Sequence, residues 1–126
     1  MDGEITPEEV ERLLADGADV RVVDIRSPGA YARGHIPGSE NVPFDRLPDR
    51  VESLTGSDRI VTVCPHGKAS VQAARLIESF EGTADATVES MAGGLEAWEG
   101  DLEAGDDGRD GTETEAEADE GPQSPF

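Results

Sequence analysis

The loop that contains the chain's single cysteine is the segment best suited to covalent chemistry. Cys64 directly follows the β-branched run of residues 59–63, and a helical apolar pattern begins near Ser70. Between them stand Pro65, His66, Gly67, Lys68 and Ala69. A glycine-containing loop between a strand and a helix can turn its N–H groups inward, and the helix N-terminus adds positive potential. We therefore predict that Cys64 is a nucleophile with a lowered pKa, assisted by Lys68, the only cation of the loop. The alternative is that the thiol is a small buried side chain at the end of a strand.

Two kinds of reaction use an anion-binding cysteine loop. Phosphoryl transfer to the thiol, as in a cysteine phosphatase or an arsenate reductase, calls for an arginine fork five or six residues after the cysteine. Those positions are Ala69 and Ser70, and the first arginine after Cys64 is Arg75. Sulfur transfer needs no fork, because the thiolate takes up a sulfane sulfur and the loop amides stabilise the persulfide anion. The sequence favours sulfur transfer.

Four further residues near the expected cleft have weaker functional indications. His66 could bind an anion or tune the thiolate, or it could simply be solvated. We expect His35 to fix a turn, and Asp24 and Arg26 to pair with each other rather than contact substrate. One cysteine and two histidines make no metal site, and no glycine-rich phosphate motif is present, so we expect no cofactor.

The composition is strongly acidic. Among 126 residues, 29 are Asp or Glu and 10 are Lys or Arg, so the net charge is −19, which disfavours binding to nucleic acid or to anionic membranes. The acidic start of the chain is unlike a signal peptide, so we expect a cytoplasmic protein. One lysine against nine arginines on an acidic background suggests a high-salt, halophilic cytosol. Residues 103–126 have no apolar periodicity, and we expect them to form an acidic disordered tail after a domain of residues 1–102.

The folded part alternates helical and strand patterns. A capping Thr6 and Pro7 predict a first helix at residues 7–15. The remaining predicted elements, in chain order, are a strand at 20–25, a helix at 28–33, a short strand at 41–42, a helix at 44–54 with an irregularity at Pro48, a strand at 59–63, a helix capped by Ser70, and a strand at 86–88. Such alternation predicts an α/β fold with a largely parallel sheet, whose ligands bind at the carboxyl ends of the strands.

Three segments in this order resemble the rhodanese-like domain family. They are residues 23–26 with Tyr31, 34–39 and 41–43; the loop Cys-Pro-His-Gly-Lys-Ala-Ser at 64–70; and Met-Ala-Gly-Gly at 91–94 followed by Trp98. The resemblance implies a five-stranded, mainly parallel sheet with helices on both faces. It also implies a persulfide on Cys64, a substrate-binding loop at 65–70, a small sulfur donor such as thiosulfate or a persulfidated protein donor, and a thiol or cyanide acceptor.

Two positions depart from the pattern that this resemblance implies. Ala69 stands where many active members have an arginine that holds an oxyanion donor, and Ala30 stands where an acidic residue often precedes the aromatic. We expect Lys68 to compensate if its side chain points toward the donor. The absence of the arginine at position 69 keeps open a second interpretation, in which the domain is a noncatalytic binding or regulatory module.

Overall fold

A five-stranded parallel sheet forms the centre of the computed structural model, which describes residues 3–105. The strands lie in the order β1-β5-β4-β2-β3. Their bounds are β1 Glu4–Ile5, β2 Arg21–Asp24, β3 Glu40–Asn41, β4 Arg59–Val63 and β5 Thr87–Met91. Every neighbouring pair is parallel, so all five strands end at the same edge of the sheet. The predicted sheet is therefore confirmed.

The two faces of the sheet pack against different apolar clusters. Neighbouring residues of a strand point to opposite faces, so Val23 and Ile60 enter one cluster while Val22 and Val61 enter the other. All four side chains are at most 1% exposed. Burial on both faces explains why β2 and β4 are continuous apolar runs without polar alternation.

Three helices match the helical patterns of the sequence. Helix α1 spans Pro7–Ala15, and the Thr6 side chain caps it by accepting a hydrogen bond from the Glu9 N–H. Helix α2 spans Pro28–Arg33, with Ser27 as its cap. The helix that follows Cys64 is α4 and spans Ala69–Glu78. Helix α3 lies between α2 and α4 in the chain and is described below. Ser70 lies inside the first turn of α4, so the prediction of Ser70 as a cap was wrong; its hydroxyl has other partners.

The predicted helix at residues 44–54 is divided into three pieces. A 3-10 turn at Phe44–Arg46 precedes the short helix α3, Leu47–Arg50, and a second 3-10 turn follows at Val51–Leu54. Pro48 has no N–H, so it cannot donate the bond to Phe44 that a continuous α-helix requires. The spacing of the buried Leu47 and Leu54 is preserved nonetheless, and both pack in the core below β2 and β4.

Residues near the end of the described chain pair with the domain. The backbones of His35 and Glu103 exchange two hydrogen bonds of 2.9 and 2.8 Å, and the Gly105 N–H donates to the Ala32 carbonyl at 2.8 Å. Glu103 and Gly105 of the expected tail thus bond to helix α2 and the residue pair that follows it, and we propose a domain that extends to Gly105. The rest of that tail, residues 106–126, lies outside the described residues. Within residues 3–105, no helix is long and apolar enough to span a membrane.

Two truncations test this domain boundary. Ending the chain after Gly105 should leave the free energy of unfolding unchanged, since every described contact remains. Ending it after Leu102 should lower that free energy by about 1.5–4.5 kcal/mol, because three backbone hydrogen bonds of about 0.5–1.5 kcal/mol each are lost. Denaturant unfolding of both chains measures the difference. Equal stability of the two truncated chains would place the boundary before residue 103.

Candidate active site

The open cleft of the molecule lies where the chain leaves β2 and β4. After β2 the chain turns toward β3 at one side of the sheet, and after β4 it turns toward β5 at the other side. Diverging connections of this kind leave a crevice at the carboxyl ends of adjacent strands, where ligands of α/β folds bind. The crevice has a volume of about 1000 Å³, and its lining includes Ile25 and Arg26 after β2, and Cys64 and Pro65 after β4.

The Cys64 sulfur is the point on which the loop's hydrogen bonds converge. The Gly67 N–H donates to Sγ at 3.0 Å and the Ser70 N–H donates at 3.3 Å. The thiol also contacts Ser70 Oγ at 3.3 Å, donating while protonated and accepting once ionised. Cys64 is 2% exposed, so its sulfur lies at the floor of the cleft, shielded from bulk water.

These contacts decide the protonation of the thiol. Burial raises the pKa of Cys64, because it disfavours the charged form. Hydrogen bonds from the Ser70 hydroxyl and from the backbone of Ser70, Gly67 and His66 lower it. Together the hydrogen bonds outweigh burial, and the pKa of Cys64 lies below the ordinary value for a cysteine. The thiolate is the form that attacks sulfur.

Glycines hold the loop in the shape that this arrangement needs. Gly67 has φ +83°, and a Cβ there would lie 2.7 Å from the Gly93 backbone nitrogen. Gly94 has φ +66°, and a Cβ there would collide with the Cys64 carbonyl oxygen. The N–H groups of Leu95 and Glu96 donate to the carbonyls of Cys64 and Pro65 at 2.9 and 3.0 Å. The turn after β5 therefore fixes the backbone of the cysteine loop, a role beyond the tight turn that the sequence predicts.

Sequence reasoning missed two buried hydroxyls beneath the loop. Ser90 Oγ lies 2.7 Å from Ser70 Oγ, and both serines are fully buried. The Thr62 hydroxyl donates to the Ser70 carbonyl at 2.7 Å. Ser90 lies on β5 and Thr62 on β4, so two strands fix the position of Ser70. Short strands rich in apolar residues give no sequence signal that singles out such hydroxyls.

The predicted loop residues occupy different surroundings. Gly67 and Ser70 contact the sulfur, while Pro65 and Ala69 line the cleft. The His66 side chain is exposed, and its Nδ1 lies 2.8 Å from Glu96 Oε1. Lys68 is exposed and is not part of the cleft lining. The lowered pKa of Cys64 therefore comes from hydrogen bonds, and the assistance expected from Lys68 is not seen.

Three residues expected to be structural have that role. His35 is buried, stacks on Tyr31 with ring centres 3.8 Å apart, and its Nδ1 lies 2.8 Å from the Tyr31 carbonyl. The Arg26 guanidinium pairs with Asp24, Nη2 to Oδ2 at 2.8 Å, and donates to the Gly34 carbonyl at 2.7 Å. These contacts tie the segment after β2 to the turn after α2. Within residues 3–105, no three His, Cys, Asp or Glu side chains are grouped to hold a metal ion.

Comparison with models of protein families identifies the family of this chain. The model of the rhodanese-like domain matches residues 6–101, which cover strands β2 to β5, the described helices and the cysteine loop. The chain therefore belongs to the rhodanese-like domain family.

Individual relatives agree with this assignment. The thiosulfate sulfurtransferase GlpE of Pseudomonas aeruginosa PAO1 is 38% identical over 94 residues, which span 75% of this chain and 81% of that protein. A sulfurtransferase of Allochromatium vinosum is 35% identical over 99 residues, spanning 78% and 89% of the two chains. The crystal structure of a rhodanese-like domain protein from Staphylococcus aureus superposes with a TM-score of 0.67 at 29% identity, covering 82% of this chain and 98% of that one.

The substitution Ser70→Ala tests the source of the lowered pKa. Without the hydroxyl, the pKa of Cys64 should rise, because the largest of the contributions that lower it is removed while burial remains. Thiolate absorbance in the ultraviolet, recorded against pH, reports this one group because the chain has a single cysteine. Ser79→Ala at the exposed end of α4 is the matched control and should leave the midpoint unchanged. An unchanged midpoint in Ser70→Ala as well would contradict the assignment.

Proposed function

We propose that this protein is a sulfurtransferase in which Cys64 carries a sulfane sulfur as a persulfide. The observation that carries the proposal is the convergence of two N–H groups and one hydroxyl on the Cys64 sulfur at the floor of an open cleft. Donors preorganised around one atom stabilise negative charge there without reorganisation during the reaction. The names of the relatives support the same activity.

The reaction has two steps, each of which conserves charge. The Cys64 thiolate attacks the outer sulfur of thiosulfate, the sulfur–sulfur bond of the donor breaks, and sulfite leaves with the electron pair. The persulfide anion formed on Cys64 is then attacked at its terminal sulfur by a thiolate or cyanide, which departs as a persulfide or as thiocyanate and returns the Cys64 thiolate. No external oxidant or reductant is consumed, because the sulfane sulfur passes from one nucleophile to the next as a neutral atom and each leaving group keeps the electron pair of the broken bond.

Loop residues 65–70 have three different roles in the proposed reaction. Gly67 and Ser70 stabilise the anionic sulfur in both the thiolate and the persulfide states, since their N–H groups already bind Sγ. Pro65 and Ala69 shape the cleft around the reacting sulfur. His66 and Lys68 lie at the exposed outside of the loop, where we assign them to the approach of the acceptor.

The most direct test is intact mass spectrometry after incubation with thiosulfate. Wild-type protein should gain the mass of one sulfur atom, and a thiol reductant should remove it, because a persulfide is cleaved by thiolates. Cys64→Ser is the control, since it retains the volume of the side chain and lacks the nucleophile. The absence of added sulfur from thiosulfate and from a low-molecular-weight persulfide would favour the noncatalytic module.

We also propose that the protein works in a cytoplasm of high salt concentration. The support is the net charge of −19 with a single lysine. Like charges on a compact domain repel one another, and salt shortens the screening length from about 10 Å at 0.1 M to about 3 Å at 1 M.

This proposal predicts a melting temperature that rises with salt. Thermal unfolding followed by circular dichroism in potassium chloride from 0.1 M to molar concentrations measures it, and the gain should shrink for a variant in which several exposed carboxylates are replaced by amides. A melting temperature that stays constant or falls across that range would contradict the high-salt assignment.

A further inference from the structure

One wall of the cleft carries two arginines that the reaction scheme above leaves without a role. The 3-10 turn Phe44–Arg46 and helix α3 face the cysteine loop across the crevice, and Arg46 and Arg50 both line it together with Cys64. Both side chains are exposed, and neither forms an ion pair with a carboxylate within residues 3–105. The cleft that contains Cys64 therefore has two guanidinium groups without a carboxylate partner in the described part of the chain.

Half of the eight arginines within residues 3–105 form ion pairs, whereas Arg46 and Arg50, like Arg33 and Arg75 outside the cleft lining, form none. Four other arginines of the described chain are held by carboxylates, namely Arg12 by Glu9, Arg21 by Glu40, Arg26 by Asp24 and Arg59 by Glu89. Carboxylates outnumber cations almost threefold in the sequence, so a free arginine is not short of available partners. The position of Arg46 and Arg50 therefore leaves their guanidinium groups available to an anion in the cleft.

Backbone hydrogen bonds and a buried leucine hold the segment that carries these arginines. The N–H groups of Val42 and Phe44 donate to the carbonyls of Asp24 and Ile25 at 2.9 and 3.0 Å, which ties the start of the wall to the end of β2. Leu47 is fully buried between the two arginine positions. Residues 46 and 50 are four apart along a helical turn, and side chains at this spacing are neighbours.

The cleft contains cations that can contact a bound anion. Its charged lining consists of Arg26, Asp45, Arg46 and Arg50. The Arg26 charge is balanced by Asp24, which leaves the two arginines as the unpaired cations of the described lining, against the Asp45 carboxylate and the Cys64 thiolate. Lys68, the cation that the loop itself offers, is outside the cleft lining.

We propose that Arg46 and Arg50 bind the oxyanion group of a small sulfur oxyanion donor, with thiosulfate as the type, and thereby determine donor specificity. The inference rests on the proposed sulfur transfer to Cys64. Guanidinium groups match oxyanions because they offer parallel N–H donors, and they would also hold the charge of the departing sulfite. The two arginines supply from the opposite wall the cation that Ala69 does not supply from the loop.

The test uses Arg46→Gln, Arg50→Gln and the double variant in the full chain. Arg75→Gln, which removes an exposed charge from α4 outside the cleft lining, is the matched control. Each cleft substitution should raise the KM for thiosulfate about tenfold, the size expected from losing one hydrogen bond to a charged group. Transfer from cysteamine persulfide, which has no oxyanion group, should keep its kcat/KM. A KM in the double variant equal to that of Arg75→Gln would overturn the inference.

A binding measurement separates this inference from the proposed function. Sulfate is an unreactive dianion, and its titration at constant low ionic strength, followed by amide chemical shifts of the cysteine loop, reports occupancy of the cleft without any turnover. Wild type and Arg75→Gln should bind sulfate, and the double variant should lose binding at least about tenfold. Equal sulfate binding in the double variant overturns the arginine site whatever the activity. Sulfate binding without persulfide formation from either donor contradicts the proposed sulfur transfer alone.

Discussion

The hydrogen bonds of the Ser70 hydroxyl and of the Gly67 and Ser70 N–H groups with the Cys64 sulfur are the interaction on which the site depends. A thiolate that is 2% exposed would be strongly disfavoured by burial without them. With them, the chain can keep a reactive sulfur at the floor of a cleft, where water competes poorly for the bound donor. Burial and hydrogen bonding thus act in opposite directions on the same atom, and the hydrogen bonds prevail.

Strands β4 and β5, helix α4 and the turn after β5 fix the position of the cysteine loop. β4 delivers Cys64 to the carboxyl edge of the sheet, and α4 begins at Ala69 so that its first turn supplies the Ser70 donor. The turn after β5 binds the loop carbonyls from the other side, and Gly94 allows the two backbones to approach more closely than any side chain would permit. Ser90 and Thr62 then fix Ser70 from below. A change in any of these contacts acts on the sulfur through Ser70 or the loop backbone.

Local patterns in the sequence were sufficient for most of the fold. The Thr6-Pro7 cap, the β-branched runs and the cysteine at a strand-to-helix junction each describe an element within a few residues of itself, and they predicted α1, β2, β4 and the loop. What could not be predicted depends on contacts between distant segments. The two-residue β1 exists because it pairs with β5, Ser90 matters because it lies under Ser70, and Arg46 faces Cys64 only because the chain folds back. Proximity in sequence predicts that Lys68 assists the thiolate, whereas the Lys68 side chain is exposed and outside the cleft lining.

The central claim is that hydrogen bonds from the loop hold the sulfur as an anion, and nuclear magnetic resonance of the two donating amides tests it directly. In a pH titration of ¹⁵N-labelled protein, the amide protons of Gly67 and Ser70 should shift with one common midpoint, equal to the midpoint of thiol ionisation and below the ordinary cysteine value of about 8.5. The same amides in Cys64→Ser should show no such transition. Amide shifts at Gly67 and Ser70 that are independent of pH in wild type, or that are identical in Cys64→Ser, would contradict the account.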